Sequence, residues 1–142
     1  MLVRDIMNPS VVCVNPDETA TVAARLLHRY NVGSLPVCSA SGALSGIITD
    51  RDIVMRCVAA CGEPETTTIS EIMSRNVVTV SSTSHAEDAA KLMAKHQVRR
   101  LPVVDNGQLV GMLSLGDMAR THACDTEAAE ALSEISSNIR KP

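Results

Sequence analysis

Val32-Gly33-Ser34-Leu35-Pro36-Val37 returns 66 residues later as Val98-Arg99-Arg100-Leu101-Pro102-Val103, and the residues around these two stretches decide the fold. Towards the N-terminus, at the same offset, Ala23-Ala24-Arg25-Leu26 falls on Ala89-Ala90-Lys91-Leu92. Val11-Val12-x-Val14 falls on Val77-Val78-x-Val80, and Asp5-Ile6-Met7 on Glu71-Ile72-Met73. Between residues 3–37 and 69–103, 13 of 35 positions are identical and spread along the window, so the chain is an internal duplication rather than a carrier of one shared motif. Towards the C-terminus one residue is lost in a turn. The match then continues at an offset of 65, with Gly46-Ile47-Ile48-Thr49-x-x-Asp52 on Gly111-Met112-Leu113-Ser114-x-x-Asp117.

Each copy reads the same way locally. Val11 to Val14 and Val77 to Val80 are short β-branched runs that predict a strand. A polar patch follows, then apolar residues at helical spacing: Val22, Ala23, Leu26 and Leu27 in one copy, Ala86, Ala89, Ala90, Leu92 and Met93 in the other. The helix should end before Leu-Pro-Val, because a residue ahead of proline is pushed to extended geometry. Ser39-Ala40-Ser41-Gly42 and Asp105-Asn106-Gly107 predict hairpin turns. Strands at Leu44 to Ile48 and Leu109 to Leu113 then lead into helices starting near Asp52 and Asp117. The fold class is therefore α/β (α+β): two tandem βαββα repeats. About 60 aromatic-free residues are marginal alone, so the repeats are expected to pack as a pseudo-two-fold pair. Boundaries fall at 1–60 for the first repeat, 61–68 for a linker, 69–122 for the second repeat and 123–142 for a helical tail. In that tail Leu132, Ile135 and Ile139 share helical spacing, and Asp125-Thr126 forms a candidate cap.

Composition narrows the function classes. Of 142 residues one is Tyr and none is Phe or Trp, which removes the aromatic platforms on which bases stack. A formal net charge of −3 offers no footprint for a phosphate backbone, so no nucleic-acid partner is expected. No membrane partner is expected either, since no apolar run approaches roughly 18–20 residues. No secretory signal is expected from the charged Met1-Leu2-Val3-Arg4-Asp5, nor a disulfide framework from five irregularly spaced cysteines. The expected compartment is the cytoplasm.

The doubled Gly-h-h-(Thr/Ser)-x-x-Asp element is where chemistry could reside. A carboxylate in the first turn of a helix can accept hydrogen bonds from both hydroxyls of a ribose. The hydroxyl three residues earlier can face phosphate oxygens alongside the free N–H groups of the helix start. The glycine admits a ligand or a neighbouring strand close to the backbone. Taken alone, Thr49-x-x-Asp52 and Ser114-x-x-Asp117 equally fit a helix capping box. What favours a site is company. Arg99-Arg100 stand where the first copy has Gly33-Ser34, and guanidinium forks suit phosphate oxygens. Arg51 lies beside Asp52.

On these residues the chain resembles the CBS domain family (named after cystathionine β-synthase), whose tandem pair is called a Bateman module. The resemblance spans roughly residues 3–122. It rests on Asp-Ile-Met, Val-Val-x-Val, Leu-Pro-Val and Gly-h-h-(Thr/Ser)-x-x-Asp, and it is similar to the small stand-alone bacterial CBS-pair proteins. The resemblance implies a regulatory, ligand-sensing module with no catalytic residues and no required cofactor. Its implied ligand is AMP, ADP or ATP, with S-adenosylmethionine or an NAD-type nucleotide as further candidates, bound in clefts between the copies. It also implies a homodimer that acts in trans on a protein target. By position, Asp52 and Asp117 would hold ribose, and Thr49 and Ser114 would lie near ribose or phosphate. Val12 and Cys13, with Val78 and Thr79, would lie against adenine, and Arg99 and Arg100 would face phosphates. Leu115-Gly116 in place of Asp50-Arg51 predicts unequal clefts.

Other constellations are weaker. Cys13 follows Val11-Val12 and Cys38 follows Leu35-Pro36-Val37, while the second copy has Thr79 and Val104 there. If those strands are neighbours the pair is a candidate disulfide, which requires a Cα separation of roughly 4.4–6.8 Å. Otherwise it is two small buried hydrophobes. Cys57 and Cys61, at i and i+4, would share a helix face. They lack metal-ligand partners at finger-like spacing, and the four histidines share no spacing, so no metal site is expected. No nucleophile elbow, Walker loop or zinc-protease motif is present. The leading reading is a nucleotide sensor. The alternative is a CBS-pair interaction or stress protein that binds no nucleotide, with Cys13 and Cys38 as a redox element. A small hydrolase or transferase stands last.

Overall fold

The computed structural model describes the backbone of residues 1–121 and 125–137, with side chains for 1–121 and 127–136. Its elements in chain order are α1 (Val3–Ile6), α2 (Ala20–Tyr30), β1 (Ser34–Cys38), β2 (Leu44–Thr49) and α3 (Asp50–Ile53), which continues as a π-helical segment (Val54–Val58). There follow α4 (Ile69–Ile72), α5 (Ala86–His96), β3 (Arg100–Asp105), β4 (Gln108–Ser114), α6 (Leu115–Ala119) and α7 (Asp125–Ser137). Helices and strands mix as the α/β reading requires, and the strands form two small antiparallel sheets, β1–β2 and β3–β4.

The two helices of matching sequence have matching ends. α2 starts at Thr19, whose hydroxyl accepts from the Val22 N–H at 3.3 Å, and it buries Ala20, Ala23 and Leu27. α5 buries Ala86, Ala89, Ala90 and Met93. Both stop at a left-handed residue, Asn31 (φ 52°) and Gln97 (φ 58°), whose N–H groups close the last turn. The chain is then free to enter β1 or β3 ahead of the proline. The hairpins follow the predicted turns. Asp105 pairs with Gln108 across Asn106-Gly107, both at positive φ, the geometry of a two-residue turn that matches sheet twist.

The predicted leading strands are shorter than their sequence suggests. Among residues 11–14 and 77–80 only Val14 and Val80 pair, each in a single parallel bridge, to Val37 and Val103. Proline explains the truncation. A parallel ladder would continue through an N–H from Pro36 to the Val12 carbonyl, and from Pro102 to that of Val78, and proline has none.

The compact units do not coincide with the sequence copies. A continuous unit spans Val12–Val77, and a split unit joins Met1–Val11 to the chain from Val78 on. In the continuous unit α4 closes the core: Ile69, Ile72 and Met73 pack with Val14, Ala23, Leu27, Val37 and Ile48. Ser74 there exchanges two backbone hydrogen bonds with Ile47, both 2.9 Å. In the split unit α1 does the equivalent work. Val3 is fully buried with Val80, Met93 and Leu113, and Asn8 exchanges two hydrogen bonds with Met112. Each leading helix thus folds with the other sequence copy. These incoming segments are what the motif glycines accommodate. A Cβ on Gly46 would lie 2.6 Å from the Ser74 oxygen, and one on Gly111 would lie 2.7 Å from the Met7 sulfur and 3.0 Å from the Asn8 oxygen. Of the two roles open to the glycine in the sequence, close approach of a neighbouring segment is the one the structure displays.

The tail forms α7 and covers the body of its own split unit. Ala128, Ala131 and Ile135 join the core beside α5 and α6, while Leu132 stays exposed. Ile139 and the side chains of Asp125 and Thr126 lie outside the described residues. Cys57 and Cys61 do not share a helix face. The helix ends at Val58, Cys61 follows in a left-handed conformation (φ 61°), and only Cys57 is buried.

Candidate functional site

Both (Thr/Ser)-x-x-Asp elements are fully formed capping boxes. The Asp52 N–H donates to the Thr49 hydroxyl at 2.9 Å, and the Thr49 N–H to Asp52 Oδ2 at 3.0 Å. The Asp117 N–H donates to the Ser114 hydroxyl at 3.0 Å, and the Ser114 N–H to Asp117 Oδ2 at 2.9 Å. The capping reading of the sequence therefore holds in both copies, and it uses one oxygen of each carboxylate. The other oxygen of each faces an arginine. Asp52 Oδ1 lies 4.0 Å from Arg56 Nε, beyond hydrogen-bonding range, and Asp117 Oδ1 accepts directly from Arg120. The cap fixes the rotamer of a buried aspartate (Asp52 is 8% exposed) and leaves Oδ1 outside its own hydrogen bonds.

Sheet register assembles the rest of each unit's candidate residues. In the continuous unit Ser34 is the β1 partner of Thr49. The chain ahead of Val14 runs parallel to β1, so half-buried Val12 and exposed Cys13 approach the same end of the sheet. In the split unit Arg100 is the β3 partner of Ser114, so both side chains project from one face, and Val78 and Thr79 run towards that end. Arg99 is exposed, and its carbonyl accepts the Leu115 N–H at 3.0 Å, immediately before α6. Arg51 is exposed on α3, with its N–H donated to Asp50 Oδ1 at 2.7 Å.

The two assemblies differ in charge. The candidate residues around α6 are Arg99, Arg100, Arg120 and Asp117, whose carboxylate accepts from Arg120. Around α3 stand Arg51 and Arg56 against Asp50 and Asp52. The Asp50 carboxylate also lies 3.5 Å from where a Cβ on Gly33, the counterpart of Arg99, would be, an ordinary contact distance. Arg56 and Arg120 are site residues the sequence reading did not single out; their signal was an opposite charge four or three residues after each aspartate. Arg56 also donates to the Ile72 and Met73 carbonyls at 3.2 and 3.3 Å, which ties α4 to the aspartate. A cavity of about 230 Å³ lies elsewhere, between α5 and α7, with Glu87, Lys91, Glu130 and Glu134 among its walls. Among the described residues no His, Cys, Asp and Glu side chains converge as metal ligands, and no helix is long and apolar enough to cross a membrane.

A duplicated unit with two antiparallel hairpins, each ending in a Gly-h-h-(Thr/Ser)-x-x-Asp cap, defines the tandem CBS pair. The CBS domain profile matches residues 3–59 and 69–123, and the chain belongs to the CBS domain family. It is 43% identical over 134 residues to the CBS domain-containing protein YhcV of Bacillus subtilis (strain 168), covering 94% of each chain. Its fold is similar to the CBS domain pair of protein MJ0100 in complex with 5'-methylthioadenosine and S-adenosyl-L-methionine. The TM-score there is 0.74 at 32% identity, over 84% of this chain and 94% of that one. It is also similar to CBSX2 in complex with AMP, with a TM-score of 0.73 at 29% identity, over 84% and 93% of the two chains.

Proposed function

We propose that this chain is a regulatory module that binds an adenosyl nucleotide and acts in trans on a partner protein, without catalysing a reaction. The observation that carries the reading is the doubled aspartate: each is held in one orientation by its cap, with Oδ1 outside the cap's own hydrogen bonds, at a sheet end where a backbone segment can meet a base. A ribose diol donates two hydrogen bonds, and a carboxylate of fixed orientation accepts both with little ordering cost. The family relationship supports the choice of ligand, since two related CBS pairs are described with adenosyl compounds bound. In the split unit Asp117 and Ser114 hold the ribose, Val78 and Thr79 meet the adenine, and Arg99 and Arg100 meet a phosphate. In the continuous unit Asp52, Thr49, Val12 and Cys13 play the matching parts, with Arg51 beside them. Its balanced charge suits an adenosyl ligand without phosphate, such as S-adenosylmethionine.

The module acts as a second copy's partner as well. α7 covers the helices of the split unit, whereas Val54, Met55 and Val58 stand more than half exposed on the continuous unit. A homodimer covers that face, and ligand binding signals by shifting its equilibrium between two states of unequal affinity. Titration calorimetry with AMP and with methylthioadenosine tests the site assignment. Asp117→Asn should weaken AMP by about tenfold or more, the cost of one charge-assisted hydrogen bond. Binding of neither compound to the unmodified protein would remove the sensor reading.

A further inference from the structure

Cys13 and Cys38 meet where the chain first touches β1. The Val14 N–H donates to the Pro36 carbonyl at 3.0 Å and the Cys38 N–H to the Val14 carbonyl at 2.9 Å. One cysteine therefore stands just before the Val14–Val37 bridge and the other just after it. The Cys13 side chain is near enough to act on the Cys38 thiol. Both are free thiols, Cys13 exposed and Cys38 buried. The corresponding Val80–Val103 bridge forms with Thr79 and Val104 in those places, so the architecture does not need the sulfurs. The segment ahead of Val14 has no regular secondary structure, and Pro36 offers it no N–H, so this backbone can adjust to a covalent bond.

We propose that Cys13 and Cys38 are a dithiol–disulfide pair, closed by a hydroperoxide, that fastens the segment ahead of Val14 to β1. This goes beyond ligand binding and stands without it. Burial, and then the neighbouring Cys13, push the Cys38 thiol up to about 12, so Cys38 is a poor first nucleophile and the exposed Cys13 is the point of entry. With hydrogen peroxide, the Cys13 thiolate attacks one peroxide oxygen and the O–O bond breaks. This leaves a sulfenic acid, and the released hydroxide takes up a proton as water. The Cys38 sulfur then attacks the Cys13 sulfur, the S–O bond breaks, and hydroxide leaves with the Cys38 proton as a second water. Two thiols and one peroxide give one disulfide and two waters. Each sulfur is oxidised by one electron, and each peroxide oxygen is reduced by one.

The test is oxidation of the full chain with hydrogen peroxide, unfolding, alkylation of the remaining thiols and peptide mapping without reduction. The expected product is a Cys13–Cys38 cross-linked peptide with Cys57, Cys61 and Cys124 alkylated. Amide exchange across residues 11–14 should slow by about tenfold or more, because local opening of that segment now carries a covalent constraint. Cys38→Ser should stop at a Cys13 sulfenic acid trapped by dimedone, while Cys13→Ser, a change at an exposed position, should leave Cys38 reduced. Cys13 driven to a sulfinic acid with Cys38 still a thiol would overturn the pairing. So would a disulfide that joins only different chains. A closed disulfide with unchanged exchange would overturn the fastening role.

Discussion

Replacing Gly46 by alanine sets a methyl group against backbone that cannot retreat. The added Cβ would lie 2.6 Å from the Ser74 carbonyl oxygen, whereas ordinary contact begins at 3.4 Å, so the segments must part by about 0.8 Å. Ser74 is held by both of its hydrogen bonds to Ile47, each 2.9 Å, and a displacement of that size breaks them or leaves them too long to count. Two backbone hydrogen bonds contribute about 1 kcal/mol each, and overpacking costs roughly 1–3 kcal/mol. The smaller unfolded-state entropy of alanine offsets about 0.5–1 kcal/mol. Gly46→Ala should therefore destabilise the chain by about 2–4 kcal/mol. Gly111→Ala is the internal control. Its closest neighbour is the flexible Met7 thioether at 2.7 Å, which can swing away, leaving the milder 3.0 Å approach to the Asn8 oxygen. Its cost should be about 1–2 kcal/mol. Urea unfolding at equal slope measures both. A Gly46→Ala cost under about 0.5 kcal/mol, or a larger cost at Gly111, would refute the claim that these glycines serve the incoming Ser74 and Asn8 segments.

Three further outcomes follow from local chemistry. Hydrogen bonds from the Ser82 hydroxyl, and then from its amide, hold the Asp105 carboxyl below its usual range. The unfolded chain thus takes up the proton first: the stability Asp105 contributes is complete above the ordinary carboxylate range and is lost as pH falls below it. The stability difference between the native chain and Asp105→Asn, followed by denaturation between about pH 2 and 6, should shrink at the acid end. Cys38, raised to about 12, should resist iodoacetamide at pH 8 under native conditions while Cys13 and Cys61 react, as peptide mapping would show. Its contribution to stability is complete below the ordinary thiol range and declines as pH rises from there towards 12. Val54→Ser with Val58→Ser should raise the dimer dissociation constant by about tenfold or more, read by sedimentation, because the pair removes apolar area from the proposed contact.

Much of the fold is written locally in the chain. Asn106-Gly107 specifies its turn because both residues tolerate positive φ, and the helices end, at left-handed Asn31 and Gln97, ahead of the extended backbone that Leu35-Pro36 and Leu101-Pro102 demand. The same prolines carried a second message that the β-branched runs hid: a strand that must accept an N–H from Pro36 or Pro102 cannot propagate past Val14 or Val80. The exchange of leading helices between the copies is not a local property. Val3 and Ile69 are equivalent apolar residues, and periodicity states that each is buried without stating in which unit. At the site, the capping boxes were legible from Thr49-x-x-Asp52 and Ser114-x-x-Asp117. Their second partners, Arg56 and Arg120, sit at i+4 and i+3 and break the repeat, so a search for equivalent positions passes over them.

The central claim is that Asp52 and Asp117 present an acceptor to an adenosyl ligand, and thermal unfolding against AMP, ADP, ATP, S-adenosylmethionine, NADH and GTP tests it most directly. Ligand at about 100 times its dissociation constant should stabilise the fold by roughly 2.7 kcal/mol. A rise of about 5–10 °C is expected with adenosyl compounds and none with GTP. At the same ligand concentration Asp117→Asn should cut the AMP response to about half or less, and Asp52→Asn the S-adenosylmethionine response likewise. No rise with any compound, or a rise that both variants retain in full, would contradict it and leave the two aspartates as helix caps alone.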